Sequence, residues 1–307
     1  MNAGISTAEK LKGHLSMAGA YVIFGLNIVI CKDMANSFAV SPIVLFTFRA
    51  IGAGILFWLL SLALPKEKLL KGDWWKIAVA SFTGLFIPQM TFLSAIRIST
   101  PIDTAVMGTL GPIFTMFFAF FFLKEPITLK KAGGVALSFT GIILLILNSV
   151  HSSDVTSTSP LGFAILLLNS LSFSFYLGLF RPLISRYHVV TFMKWMFVFA
   201  LLFSLPFSAR EIFTIDYPSI PVSVRREIGF LIFFATFVAY FLIPAGQKRI
   251  RPTIVSMYSY LQPIIASAIS IWAGMDIVTW QKILATTLVV GGVILVSRSR
   301  AANANNM

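Results

Sequence analysis

Ten runs of predominantly apolar residues follow one another along this chain of 307 residues, at 15–35, 42–64, 75–95, 101–123, 130–148, 160–180, 190–208, 226–245, 252–273 and 280–298. Each is about as long as the roughly 20 residues a helix needs to cross a bilayer. Hydrocarbon offers no partner to a free N–H or C=O, so a lipid-exposed run of this kind must satisfy its backbone internally, as a helix. The sequence therefore predicts an all-α polytopic membrane protein with ten transmembrane helices. The runs consume about two-thirds of the chain, and the longest connection, 209–225 with Pro218 and Pro221, is too short to be a domain.

Composition points the same way. The chain is 57% hydrophobic and 11% charged, with a mean hydropathy of +0.88, whereas a soluble domain is about 25% charged. A soluble chain this apolar would have to expose large patches and aggregate. Soluble enzymes are excluded, and the net charge of +13 needs no nucleic acid to explain it. Ten crossings put both termini on one side, and the segments on that side hold 16 of the 24 Lys and Arg, against 6 on the other. Arg49 and Lys194 sit within runs. Basic residues concentrate in cytoplasmic loops, so both termini are expected in the cytoplasm, with the chain in the inner or plasma membrane. Lys10 and Lys12 precede the first run, but it continues past signal-peptide length to Lys32 and Asp33 and reads as a retained helix. The single cysteine, Cys31, permits no internal disulfide and no cysteine-based metal cluster.

A shift of 151 residues lays 101–145 on 252–296 without a gap and with ten identities in 45 positions. Pro101 meets Pro252, Pro112–Ile113 meets Pro263–Ile264, Gly141 meets Gly292, and Glu125 meets Asp276 as acid for acid. The halves, 1–150 and 151–307, then hold five helices each, and an odd number forces them into opposite orientations. Two inverted five-helix repeats are an architecture of secondary transporters, which place the substrate site near the midplane between the repeats.

These residues resemble the EamA-type members of the drug/metabolite transporter superfamily. Phe24-Gly25-Leu26-Asn27 with Lys32 is close to a Trp-Gly-x-Asn pattern with a basic end, and Arg49 in Phe46-Thr47-Phe48-Arg49-Ala50 falls where that family usually has an arginine. The strongest match runs from Ala95 to Leu145, with Pro112, Lys124-Glu125-Pro126, Gly133-Gly134 and Gly141; Phe173-Ser174-Phe175-Tyr176, Pro263, Asp276 and Gly292 repeat it more loosely. Phe24 stands in place of the usual Trp and Asp276 in place of Glu. The resemblance covers nearly the whole chain. It implies ten helices in two EamA repeats, a cavity ringed by helices one, three, four, six, eight and nine, and export or exchange of small metabolites, often amino acids.

Pro112 and Pro263 lie about halfway along helices four and nine, where each removes an amide donor from the carbonyl four residues earlier, Gly108 or Ser259. Two readings stand, a bend beside the cavity and a packing kink; recurrence in both repeats favours the bend. Pro101 reads as a first-turn proline behind a Ser99 or Thr100 cap, with Asp103 at the positive end of the helix dipole. Glu125 and Asp276 read as interfacial locks at helix ends. Arg49, the one cation well inside a run, either anchors helix two or meets a carboxylate in the cavity. Lys194 can snorkel to the surface.

The substrate cavity is expected to be lined by Phe24, Asn27, Gln89, Phe92, Phe173, Tyr176, Tyr240, Tyr258 and Gln262, with Tyr258 and Gln262 sharing a helix face at a spacing of four. A single Asn or Tyr in a span is ordinarily a helix–helix hydrogen bond; the grouping on those helices is what suggests a path. No His and no deep acid in the first helix falls in these runs, so the cavity is expected to be neutral and aromatic, suited to zwitterions or uncharged metabolites. No phosphate-binding Gly loop, metal cluster or nucleophile constellation stands out, so no enzyme, cofactor or metal is expected. The partners implied are a small-molecule substrate and the lipid bilayer; nothing specifies an oligomer. A proton-coupled drug exporter using Asp103 or Asp276, and a non-transporting sensor or scaffold, are the alternatives.

Overall fold

The computed structural model describes residues 7–37, 39–123, 128–151, 157–250, 255 and 258–298. Lys124, Glu125, Pro126 and Pro252, and with them the expected lock at Glu125, lie outside the described residues. Those described form helices and connections, with no strand among them. We number the rods α1 (Thr7–Ser37), α2 (Pro42–Leu62), α3 (Trp74–Ser81, then π-helical Phe82–Phe86, then Ile87–Ala95) and α4 (Pro101–Gly108 and Gly111–Leu123). There follow α5 (Leu129–His151), α6 (Pro160–Leu179), α7 (Val189–Thr214) and α8 (Val222–Phe230, π-helical Leu231–Val238 and Ala239–Gln247). Last come α9 (the 3-10 turn Tyr258–Tyr260 and Leu261–Trp272) and α10 (Trp280–Arg298). α1, α2, α3, α6, α7 and α8 are long and apolar enough to cross a membrane as they stand, and α4 and α9 are built from pieces.

Three helices start by one device. Ser41, Thr100 and Ser159 each accept an N–H from three residues on (Val44, Asp103 and Gly162, at 3.4, 3.2 and 3.0 Å), with proline at the next position. The cap satisfies an amide the helix cannot, and proline has none to satisfy. Other boundaries differ from the apolar runs because polar residues continue helices beyond them. α1 begins eight residues early, at Thr7. α7 runs through Pro206 to Thr214, carried by Ala209, Arg210 and Glu211, all good helix formers, so much of the expected 209–225 connection is helix.

The packing shows the inverted repeat directly. α5 packs on α10 and α2 on α7, each on its own counterpart. α1 packs on α8 as α6 packs on α3, and α1 on α9 as α6 on α4. The α5–α10 contact carries the symmetry to atoms. A Cβ built on Gly141 would lie 2.7 Å from the Ala285 carbonyl and 3.0 Å from the Val289 amide; one on Gly292 would lie 2.4 Å from the Gly134 carbonyl and 2.7 Å from the Ser138 amide. Positions 134 and 138 become 285 and 289 under the same shift of 151. The π-helical stretches obey it too, since 82–86 maps within 231–238.

The outer surface is apolar, with Leu62, Phe121, Leu161, Phe207 and Ile264 all exposed. On a membrane protein that surface meets lipid. Trp58, Trp74 and Trp75 gather towards the end that holds the start of α1, where Lys194 lies 4.8 Å over the Trp58 ring, and exposed Trp272 and Trp280 mark the other end. Paired aromatic belts are the usual mark of the two membrane interfaces.

Candidate functional site

A cavity opens at mid-height in the bundle, enclosing about 860 Å³ of empty space with its opening included. α1, α2, α3, α4, α6, α8 and α9 all contribute to it. Of the nine residues expected there, Phe24, Asn27, Gln89, Phe92, Phe173, Tyr240 and Gln262 line it. Phe24 meets Tyr240 edge-on with ring centroids 5.8 Å apart, giving a rigid aromatic wall. Tyr176 is buried one layer back, its ring against Gly84 and stacked on Phe173 and Phe180. Tyr258 turns away to His14, with its hydroxyl 2.6 Å from Nδ1. A spacing of four does not align Tyr258 with Gln262, because residues 258–260 form a tighter 3-10 turn.

α4 and α9 meet across this cavity in a way that repeats the internal symmetry. Gly108 and Gly111 of α4 line it, and so do Ser259 and Gln262 of α9, their mates under the 151 shift. A Cβ on Gly108 would lie 2.7 Å from Gln262 Oε1, so the missing side chain is what lets Gln262 reach across. α4 is interrupted at Thr109–Leu110, just ahead of Pro112, and the freed region is stapled by α6. Ser170 Oγ donates to the Met107 carbonyl at 2.8 Å, and Ser174 Oγ, which donates to the Ser170 carbonyl at 2.6 Å, also lies 3.2 Å from that of Gly111. Hydroxyls re-satisfying backbone at a break are how interrupted helices persist in a membrane. Asn169 and Ser172 of α6 likewise donate to the Pro88 and Thr83 carbonyls of α3. Of the lining residues, Tyr21, Ile28, Thr104 and Leu166 were not anticipated. The signal for them is register: Tyr21, Phe24 and Ile28 follow the three- and four-residue steps of one helix face, as do Thr104, Gly108 and Gly111.

The expectation of a neutral cavity fails at one residue. Arg49, only 2% exposed, also lines it. Its Nε donates to Thr236 Oγ1 at 2.8 Å and its Nη2 to the Ala235 carbonyl at 3.4 Å, both in the π-helical stretch of α8. Arg49 therefore anchors α2 to α8 and still presents charge to the cavity. Its Nη1 has no hydrogen-bond partner, and neither amide atom of buried Gln89 has one. No carboxylate among the lining residues balances it.

Polar networks tie the repeats together at both ends of the bundle. At the end where α1 begins, Asp73 in the loop ahead of α3 accepts from Tyr187 Oη at 2.7 Å, Arg186 Nη1 at 2.6 Å and Lys76 Nζ at 3.1 Å. The tyrosine hydroxyl first, then these cations, hold its carboxyl down at about 2. Lys248 donates to the Tyr187 carbonyl beside it. At the other end, Asp276 Oδ1 accepts from Lys282 Nζ at 2.6 Å, and Oδ2 from the Ile102 amide of α4 at 3.1 Å. Asp103 Oδ2 accepts from Thr158 Oγ1 at 2.6 Å, and Lys32 Nζ donates to the Ile96 and Ser99 carbonyls.

Comparison with known proteins agrees with this architecture. The EamA-like transporter family matches the chain twice, over residues 11–147 and 160–298. The uncharacterized transporter YetK of Bacillus subtilis is 24% identical over 95% of this chain and 88% of its own length. Protein PecM of Dickeya dadantii is 27% identical over 73% of this chain and 72% of its own. A protein of known crystal structure superposes with a TM-score of 0.62 at 17% identity, covering 94% of this chain and 96% of that one, and so shares the fold. With both halves matched, this chain belongs to the EamA-like transporter family.

Proposed function

We propose that this protein is a secondary transporter that exports or equilibrates small metabolites, amino acids foremost, across the inner or plasma membrane, with both termini in the cytoplasm. The observation that carries the reading is the mid-height cavity, lined by both repeats and combining an aromatic wall with amide groups. Phe24, Phe92 and Phe173 receive the apolar part of the substrate; Asn27, Gln89 and Gln262 meet its polar part. In the mechanism the two repeats rock about this site in alternating access, with the breaks ahead of Pro112 and Pro263 allowing the halves of α4 and α9 to move separately. The test is uptake of a pooled panel of labelled amino acids into proteoliposomes, with and without an imposed pH gradient. Equilibrating uptake indifferent to the gradient marks a facilitator, and no uptake of any member removes amino acids from the reading.

A second reading, proton coupling, is favoured by one observation: Asp103 is fully buried and its Oδ1 has no hydrogen-bond partner. Accumulation driven by the gradient and lost in Asp103→Asn would establish it.

A further inference from the structure

We infer that Arg49 is the binding site for a carboxylate of the carried molecule, received between its Nη1 and the amide of Gln89. The inference rests on the cavity being the substrate site, and it begins from an imbalance in that cavity. A guanidinium carries five N–H donors and stays charged in proteins. Three of its edges can be followed here: Nε is used by Thr236, Nη2 by the Ala235 carbonyl, and Nη1 makes no hydrogen bond of good geometry, with only the weakly polar Cys31 thiol beside the guanidinium. An intramembrane cation ordinarily faces a cavity and finds a counter-charge. Arg49 lines the cavity, yet no acidic residue lines it with Arg49. Gln89, 5% exposed and also lining it, lies beside the Tyr240 hydroxyl, and neither of its amide atoms makes a hydrogen bond of good geometry.

Buried donors left unpaired cost stability, and a protein keeps them where a ligand completes them. The two anchors on α8 fix the direction of the guanidinium, so Nη1 is a held donor rather than a roaming charge. One positive charge matches one negative charge: a monoanion is neutralised, while a phosphate dianion retains excess charge. Phe24, Phe92 and Phe173 on the same cavity add an apolar wall suited to an apolar body. The ligand is thus a small organic carboxylate with an apolar or aromatic remainder, and an ammonium group is not what recognition depends on.

Four probes separate these features: L-phenylalanine, 3-phenylpropanoate (carboxylate without ammonium), L-phenylalaninamide (ammonium without carboxylate) and phenyl phosphate. Binding to the purified full-length protein in detergent is measured by calorimetry. The expected result is that the two carboxylates bind and the amide and phosphate bind at least about tenfold more weakly, the scale of one charge-assisted hydrogen bond. Arg49→Gln, with its fold checked by melting and gel filtration, loses the preference for carboxylate over amide, and Arg49→Lys keeps part of it. Should Arg49→Gln not fold, the wild-type ranking decides alone. Equal binding of the amide, tighter binding of the phosphate, or no binding by either carboxylate overturns the inference. Flux in proteoliposomes separates it from the transport reading. Arg49-dependent binding without exchange of labelled 3-phenylpropanoate or L-phenylalanine defeats transport and leaves the carboxylate site standing. Flux that serves phenylalanine and its amide alike does the reverse.

Discussion

At Gly292 a single methyl group has nowhere to go, because its Cβ would meet backbone of α5 at 2.4 Å and 2.7 Å. Gly292→Ala is expected to destabilise the α5–α10 pairing by about 1–3 kcal/mol, the usual cost of overpacking, seen as a lower melting temperature in detergent. Gly133→Ala is the control: its Cβ meets nothing within 4 Å, so the same change there should be neutral or slightly stabilising. Asp73 supplies a pH signature. Its carboxyl is lowered from 3.8 to about 2, so its contribution is complete above the ordinary carboxylate range and is lost as pH falls through about 2. Wild type and Asp73→Asn should therefore differ in melting temperature at pH 7 and converge between pH 4 and 2; a constant difference over that window defeats the assignment. Residues bound to local rules were legible in the sequence, as with the Thr100 cap and Pro101. Arg49 was legible as an intramembrane cation with two possible roles; the anchoring one is seen, and its partner was not legible because it lies on α8, 187 residues away. Tyr258 misled, since its helix register changes locally in a way composition does not encode.

At the scale of the element, the informative features are interruptions. α4 breaks at Thr109–Leu110 and α9 carries a 3-10 turn at Tyr258–Tyr260, both just ahead of a proline. Pro112→Ala would give residue 112 an N–H for the Gly108 carbonyl and join the two pieces of α4. The expected outcome is unchanged or higher thermal stability with slower flux in proteoliposomes and ligand binding retained; unchanged flux would show the break to be packing alone. The prolines announced these breaks in the sequence. The π-helical stretches in α3 and α8 were not legible, because they follow from how many residues must fit between packed neighbours. Helix ends were legible only where apolar residues stop at a cap. α7 ran past its apolar run because Ala209, Arg210 and Glu211 favour helix on either side of a membrane interface.

Over the whole molecule, an aspartate-centred network ties the repeats at each end of the bundle. Asp276 joins Lys282 to the start of α4 at one end, while Asp73 joins Arg186 and Tyr187 at the other. Asp276→Asn should loosen its own end alone. Cys31, the chain's one thiol, is buried near that end of α1, with its Sγ 3.6 Å from Asn27 Oδ1 in the cavity. Its alkylation by a water-soluble maleimide should accelerate in Asp276→Asn by several fold and stay unchanged in Asp73→Asn; equal rates in all three proteins would mean that Asp276 holds nothing shut. The fold at this scale was the most legible part of all, since the 151-residue shift recurs in the principal helix pairings, in Gly141 against Gly292 and in Gly108 and Gly111 against Ser259 and Gln262. The cavity's charge was not, because it is a property of which helices meet.

The α5–α10 contact has a consequence for how such a molecule can move. Backbone there approaches backbone across two glycines, Gly141 and Gly292. Separating the pair would open voids at both glycines, so it resists parting and favours turning in place. If the repeats rock as proposed, a contact this tight is where they would pivot, and travel would grow with distance from it.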